Sequence, residues 1–176
     1  MTQRMQPASK GAWLEDVVRT NAAFVGRTLR YLGVTEIDVA DACQEVFLVA
    51  HRKQEIFDGK SLRGWLYAIC IQVARNARRT RRRRREVPED TAPEPIIDAP
   101  QHLGLEQAQR RAFALSLLDR LSEEQREVLV LYEVEQRTMA EVSEILKIPI
   151  QTGYSRMRLA KEILARAMAA RRGEMP

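Results

Sequence analysis

Apolar residues along this chain recur at steps of three and four, the spacing that lays one stripe along a helix. No stretch alternates with the period of two that a half-buried strand requires. Leu14, Val17, Val18, Val25, Leu29 and Leu32 mark a first helix. A second follows Asp38, with Val39, Ala42, Cys43, Val46 and Ala50 inward. A third turns Leu62, Trp65, Leu66, Ile69 and Val73 inward and runs on into a cluster of arginines. Between the second and third lies a polar loop, QEIFDGKS, containing Asp58-Gly59.

The second half carries sharper punctuation. Ser122 with Gln125, and Thr138 with Glu141, both fit the capping box, in which the first side chain and the fourth satisfy orphan amides at a helix start. A helix over about 122–135 then buries Val128, Leu129 and Tyr132, and a short one from Met139 to Leu146 buries Met139, Val142 and Leu146. Lys147-Ile148-Pro149 turns the chain, and a longer helix begins near Ile150. Short helix, tight turn, longer helix is the helix-turn-helix order. With Met157 at the centre of the buried face, a step of about 100° per residue puts Ile150, Gly153, Ala160 and Leu164 beside it. The opposite face carries Gln151, Thr152, Ser155, Leu159 and Glu162, flanked by Arg156 and Arg158. Hydroxyls and guanidinium forks of this kind engage phosphates and base edges.

Charge changes this picture. The 176 residues hold 29 basic and 24 acidic side chains, a net charge of +5. Residues 78–85 read RRTRRRRR, and without those seven arginines the balance is 22 basic against 24 acidic. One cluster therefore supplies the whole surplus. A helix C-terminus suits two or three cations, but seven call for a polyanion such as nucleic acid. The next stretch, EVPEDTAPEPIIDAP, has five acids, four prolines and no basic residue, so it should be extended and solvated. The expected architecture is all-α: two small helical domains, over 10–85 and 105–172, joined by an acidic Pro-rich linker at 86–104, the C-terminal domain a helix-turn-helix.

Other classes are excluded or disfavoured. No apolar run reaches the roughly 18 residues of a membrane span, and MTQRMQPASKGAWLED lacks the apolar core of a secretory signal. The chain is therefore expected to be cytoplasmic, and its short ending, RRGEMP, to carry no fused regulatory domain. Two cysteines, Cys43 and Cys70, cannot build a disulfide framework or a zinc site, and His51 and His102 are too far apart to form a local metal pair. Both cysteines fall on inward faces, where free thiols are ordinary in a cytosolic protein. Trp13 and Trp65 read as core. With no Gly-rich phosphate loop, metal cluster or nucleophile motif, neither an enzyme nor a cofactor is expected. The residues leave two readings open: a stand-alone helix-turn-helix regulator and an Arg-rich RNA-binding protein.

Four segments in order add a third reading, and favour it. Asp38-Val-Ala-Asp-Ala-Cys-Gln-Glu-Val-Phe47, Leu62-Arg-Gly-Trp-Leu-Tyr-Ala-Ile69, Leu121-Ser-Glu-Glu-Gln-Arg-Glu-Val-Leu129 and Tyr154-Ser-Arg-Met-Arg158, on either side of an acidic linker, resemble the extracytoplasmic-function sigma factors of bacterial RNA polymerase. The resemblance runs from about Leu14 to Ala167. It implies a specificity subunit that binds core polymerase at the β′ clamp and β flap, reads promoter DNA, and is silenced by a separate anti-sigma factor. It assigns Asp38, Asp41, Gln44, Glu45, Phe47 and Arg52 to polymerase. Phe57, Asp58, Gly59, Lys60 and Ser61 would form a pocket for an unstacked −10 base. Arg63, Gln72, Asn76 and Arg79 would lie along the −10 DNA, with Arg82 and Arg84 of the run 81–85 on phosphates. Gln151, Thr152, Tyr154, Ser155, Arg156 and Arg158 would meet the −35 element. The chain departs from the family at several places: Ala40 stands for a usual Glu, His51 for a frequent Trp and Gln72 for a frequent Asn. Gln151 and Gly153 stand for the common Gly and Val, and Leu159 for a basic residue.

Overall fold

The computed structural model describes residues 10–86 and 104–173, all helices and short turns with no strand among the described residues. Three helices make the first half: α1 (Lys10–Tyr31), α2 (Glu36–Lys53) and α3 (Leu62–Glu86). Gly33 ends α1 in the left-handed region at φ 87°, where a side chain would be strained. The second helix starts at Glu36 rather than after Asp38. Arg30 grips the Glu36 carboxylate with two hydrogen bonds (2.7 and 2.5 Å), tying the first turn of α2 to the last turn of α1. Val17, Val25, Leu29, Leu32, Val39, Val46, Leu66, Cys70 and Ala74 are buried where the three helices meet. Trp13 and Trp65 pack edge-on against this core (6.5 Å between rings), as expected.

The second half holds α4 (Leu105–Leu118), α5 (Glu123–Leu129), α6 (Met139–Leu146) and α7 (Ile150–Gly173). Both capping boxes form, on Ser122 and Thr138. The helix expected over 122–135 is α-helical only to Leu129, and Val130–Val134 widens into a π turn. Val128, Leu129, Val130 and Leu131 are all buried. Four consecutive buried residues ask for burial on every side; α7 packs on α5, and α6 on the π turn. The helix-turn-helix is α6 and α7. Lys147 turns the chain at φ 55°, and the amides of Lys147 and Ile148 both return to the Ser143 carbonyl.

Met139 and Gly153 fit together across the helix-turn-helix. A Cβ at Gly153 would lie 2.6 Å from the Met139 sulfur, so the inward side chain that Gly153 lacks is replaced by Met139 reaching over from α6. Ile150, expected beside Met157 on the buried face, is 42% exposed instead, at the first residue of α7. Gly153, Met157 and Ala160 are buried as expected.

The halves also touch. Their buried residues form one continuous cluster, and α3 packs on α6. At the centre the fully buried Glu127 of α5 accepts two hydrogen bonds from Arg75 of α3 (2.8 and 2.6 Å). The segment expected as a linker lies, over 87–103, outside the described residues.

Candidate nucleic-acid interface

Helix α3 is cut into faces by its 100° step. Gln72, Asn76 and Arg79 form one exposed stripe, and Arg79 donates to the Asn76 side-chain oxygen at 2.8 Å. Continuing that step places Arg83, also exposed, on the same line. Arg84 falls elsewhere. With Arg81 it lines an open groove of about 280 Å³ whose other wall is Asp38, Asp41 and Glu45 of α2. Arg82 shares the flank of Arg75 and Arg78, turned toward the second half. The arginine run therefore spans three faces, with Arg83 on the line of Asn76 and Arg79, and Arg82 and Arg84 on the other two. A helical wheel of α3 would have shown this. That α2 sets its acids opposite Arg81 and Arg84 is visible only in three dimensions.

The loop before α3 is built from short polar contacts over an aromatic floor. Asp58 accepts from the Lys60 amide (3.1 Å), with Gly59 between them at φ 76°. Asp58, Gly59, Lys60 and Ser61 are exposed, and nothing lies within 4 Å of the position a Gly59 Cβ would take. The Ser61 hydroxyl accepts from the Gly64 amide (3.2 Å), so it caps α3. Phe57 is half-buried, its ring 5.0 Å from Trp65. Arg63 lays its guanidinium over the Phe24 ring at 5.5 Å.

On α2, Asp41, Gln44, Glu45 and Arg52 are exposed, with Glu45 and Arg52 4.0 Å apart. Asp38 is half-buried and accepts from the Thr35 hydroxyl at 2.5 Å. Phe47, assigned to a partner, is buried in the core, where its 8% exposure leaves almost no surface to offer; it holds α2 in position. On α7, Gln151, Tyr154, Ser155 and Arg158 are exposed, and Thr152 and Arg156 half-buried. Arg158 pairs with Glu162 at 2.6 Å. Near Arg156, Glu124 is held below the usual carboxylate range by hydrogen bonds from its own amide and the Ser122 hydroxyl, with Arg156 and Arg75 adding favourable charge. Burial pushes both cysteine thiols up, Cys70 the further. Among the described residues no helix is long and apolar enough to cross a membrane.

Two family models match along the chain: Sigma-70 region 2 over residues 17–84 and Sigma-70, region 4 over 114–164. The chain belongs to the extracytoplasmic-function sigma factors of the sigma-70 family. It is similar to the ECF RNA polymerase sigma-E factor of Haemophilus influenzae, with 28% identity over 176 residues, covering 93% of this chain and 91% of the relative. The sigma-E factor of Escherichia coli is 27% identical over 175 residues, with 93% and 90% covered. Among solved structures, the fold is shared with the sigma factor RpoE of Bartonella quintana, seen in complex with the anti-sigma factor NepR (TM-score 0.71, 21% identity, 90% of this chain and 97% of that one). It is shared too with CnrH in complex with the cytosolic domain of CnrY (TM-score 0.65, 23% identity, 89% and 88% covered). As a sigma factor the chain acts in promoter recognition, binding core RNA polymerase and promoter DNA.

Proposed function

We propose that this sigma factor divides promoter recognition between its halves. Residues 10–85 take core polymerase and the −10 element, residues 105–172 the −35 element, and residues 86–104 connect them. The chain forms and breaks no bond of its substrate. It lends polymerase, in the cytoplasm, the sequence readout and strand opening that initiation needs. Gln72, Asn76, Arg79 and Arg83 lie along the −10 DNA, and the exposed loop over Phe57 and Trp65 receives the unstacked base. Extruding a base costs a few kcal/mol, which stacking and edge contacts in such a pocket offset. The exposed face of α7, with Gln151, Tyr154, Ser155 and Arg156, enters the −35 major groove. The acidic face of α2 at Asp41, Gln44 and Glu45 meets the polymerase clamp, and the second half meets the flap. An anti-sigma protein silences the chain by covering these faces, a reading supported by fold relatives seen with such partners.

The observation that carries this reading is the coexistence of two exposed basic helix faces, on α3 and α7, each in a matched sigma region. The test is run-off transcription by core polymerase with and without the purified chain, alongside duplex binding by the chain alone. Specific transcripts that need both, with weak binding of free duplex, are expected. Tight, polymerase-independent promoter binding would overturn the division of labour.

A further inference from the structure

The exposed face of α7 is centred on a leucine. Met157 is buried, and a step of about 100° per residue puts Ser155 and Leu159 each about 20° from the point opposite it. Leu159 is 40% exposed there, on a face whose other members, Gln151, Thr152, Ser155 and Glu162, are polar. Gln151, Ser155 and Leu159 follow one another at four-residue steps, a stripe about 12 Å long that fits a major groove about 12 Å wide. An isolated leucine on a protein surface is ordinary. One at the centre of a face that docks into a groove is buried by the docking and must meet something apolar.

The cations beside this stripe already have partners within the protein. Arg158 pairs with Glu162 at 2.6 Å and Lys161 with Glu133 at 2.8 Å. Arg156 lies near enough to Glu124 to help hold its carboxylate low. Arg166 directs its Nε to the Glu162 backbone carbonyl at 3.3 Å. The line through Gln151, Ser155 and Leu159 is itself uncharged, offering an amide, a hydroxyl and an isobutyl group. The first two can bond base edges. The isobutyl group has neither donor nor acceptor, so it discriminates only by shape and apolar contact. The apolar group that base edges present in the major groove is the C5 methyl of thymine.

We propose that Leu159 reads a thymine of the −35 element by packing on its 5-methyl group, with Gln151 and Ser155 on neighbouring base edges. The inference rests on the placing of α7 in the −35 major groove, and adds to it the base and the atom that one side chain recognises. Cytosine at the same position would set an amino donor against the leucine, out of water and without an acceptor, so it is rejected. Removing the thymine methyl alone should weaken binding by about fourfold, the worth of one buried methyl group.

The experiment uses holoenzyme assembled from core polymerase and the full chain as wild type, Leu159→Ala or Leu159→Met. A promoter library randomised over the −35 region is selected by binding to the wild type. Each thymine of the selected consensus is then replaced in turn by deoxyuridine, which lacks only the 5-methyl group. At one position the wild type should lose about fourfold in affinity, Leu159→Met should keep most of that loss, and Leu159→Ala should show none. Alanine is the best helix former and the site is exposed, so thermal melting should find Leu159→Ala folded. A consensus without thymine, one in which no deoxyuridine weakens binding, or equal losses in wild type and Leu159→Ala would each overturn the role of Leu159 and leave α7 as the −35 reader. A wild-type selection with no preference anywhere in the −35 region would overturn that reading and the role of Leu159 together.

Discussion

Gly153 offers the sharpest test of the helix-turn-helix geometry, because two effects of known size oppose each other there. In an ordinary helix interior, Gly153→Ala should stabilise by about 1 kcal/mol through backbone entropy. In this chain the new Cβ would meet the Met139 sulfur at 2.6 Å and its Cγ at 3.5 Å. Overpacking a filled core costs about 1–3 kcal/mol, and Met139 is 3% exposed, so its flexible thioether has little room to withdraw. The net expectation is destabilisation by about 1 kcal/mol, or a fall of about 2–4 °C in Tm. In a Met139→Ala background the obstruction is gone, and the same substitution should stabilise by about 1 kcal/mol. The coupling between the two positions is then about 2 kcal/mol, measurable from urea midpoints in a double-mutant cycle. The single variant should also bind the −35 element less well within holoenzyme, since α7 must shift against α6. A stabilised Gly153→Ala with no coupling to Met139 would show that the packing argument fails.

Three further outcomes follow from the charges and thiols. Replacing Arg79 and Arg83 together with Ala should lower the slope of log affinity against log salt by about 2 in holoenzyme–promoter binding, at about 0.9 per phosphate contact. Arg84→Ala should leave the slope unchanged, because Arg84 faces Asp38, Asp41 and Glu45. Glu36 is held below the ordinary carboxylate range chiefly by its hydrogen bonds from Arg30, so its contribution is complete above its unfolded pKa of about 4.3 and is lost as pH falls below it; the urea midpoint of the wild type should drop more steeply from pH 5 to 3 than that of Glu36→Gln. Burial raises both thiols, so in the native protein at pH 8 iodoacetamide should modify half-buried Cys43 slowly and buried Cys70 only on unfolding; rapid labelling of both, read by mass spectrometry, would contradict their environments.

The elements were legible where a local rule decides them. Met139–Leu146 and the start of α7 at Ile150 follow from a capping box and the Lys147–Pro149 turn, all within twelve positions. What escaped is non-local. The π turn at Val130–Val134, packed between α5 and α6, has no marker in the sequence. Glu127 reads in the sequence as one more surface acid of an amphipathic helix, and only the docking of α3 makes it the most deeply buried charge among the described residues. Phe47 stood in a motif assigned to a partner, yet an apolar ring at an inward position of α2 was always more useful to the core. Of the residues offered for the −35 element, Gln151 and Ser155 lie in the open, as their place opposite Met157 on the helix requires, whereas the exposure of Tyr154, only about 60° from Met157, does not follow from the period.

The arginine run shows why a charge cluster is a poor guide to a single role. Seven like charges in eight residues cannot share one helix face, because each step turns by about 100°. Every function that a helix can perform with a guanidinium is therefore sampled at once. Arg78 turns to the second half and finds Glu123 and Glu127. Arg81 and Arg84 turn to α2 and find its acids. Arg79 and Arg83 are left on the stripe that begins at Gln72 and Asn76, with Arg79 holding Asn76 in place. The acids beside the first two groups come from α5 and from α2, and the stripe with Arg79 and Arg83 is the third face. That face, and not the run as a whole, is the one a polyanion should find. If promoter affinity responded equally to Ala at Arg79, Arg81, Arg83 and Arg84, each measured in holoenzyme, this partition of α3 would be wrong.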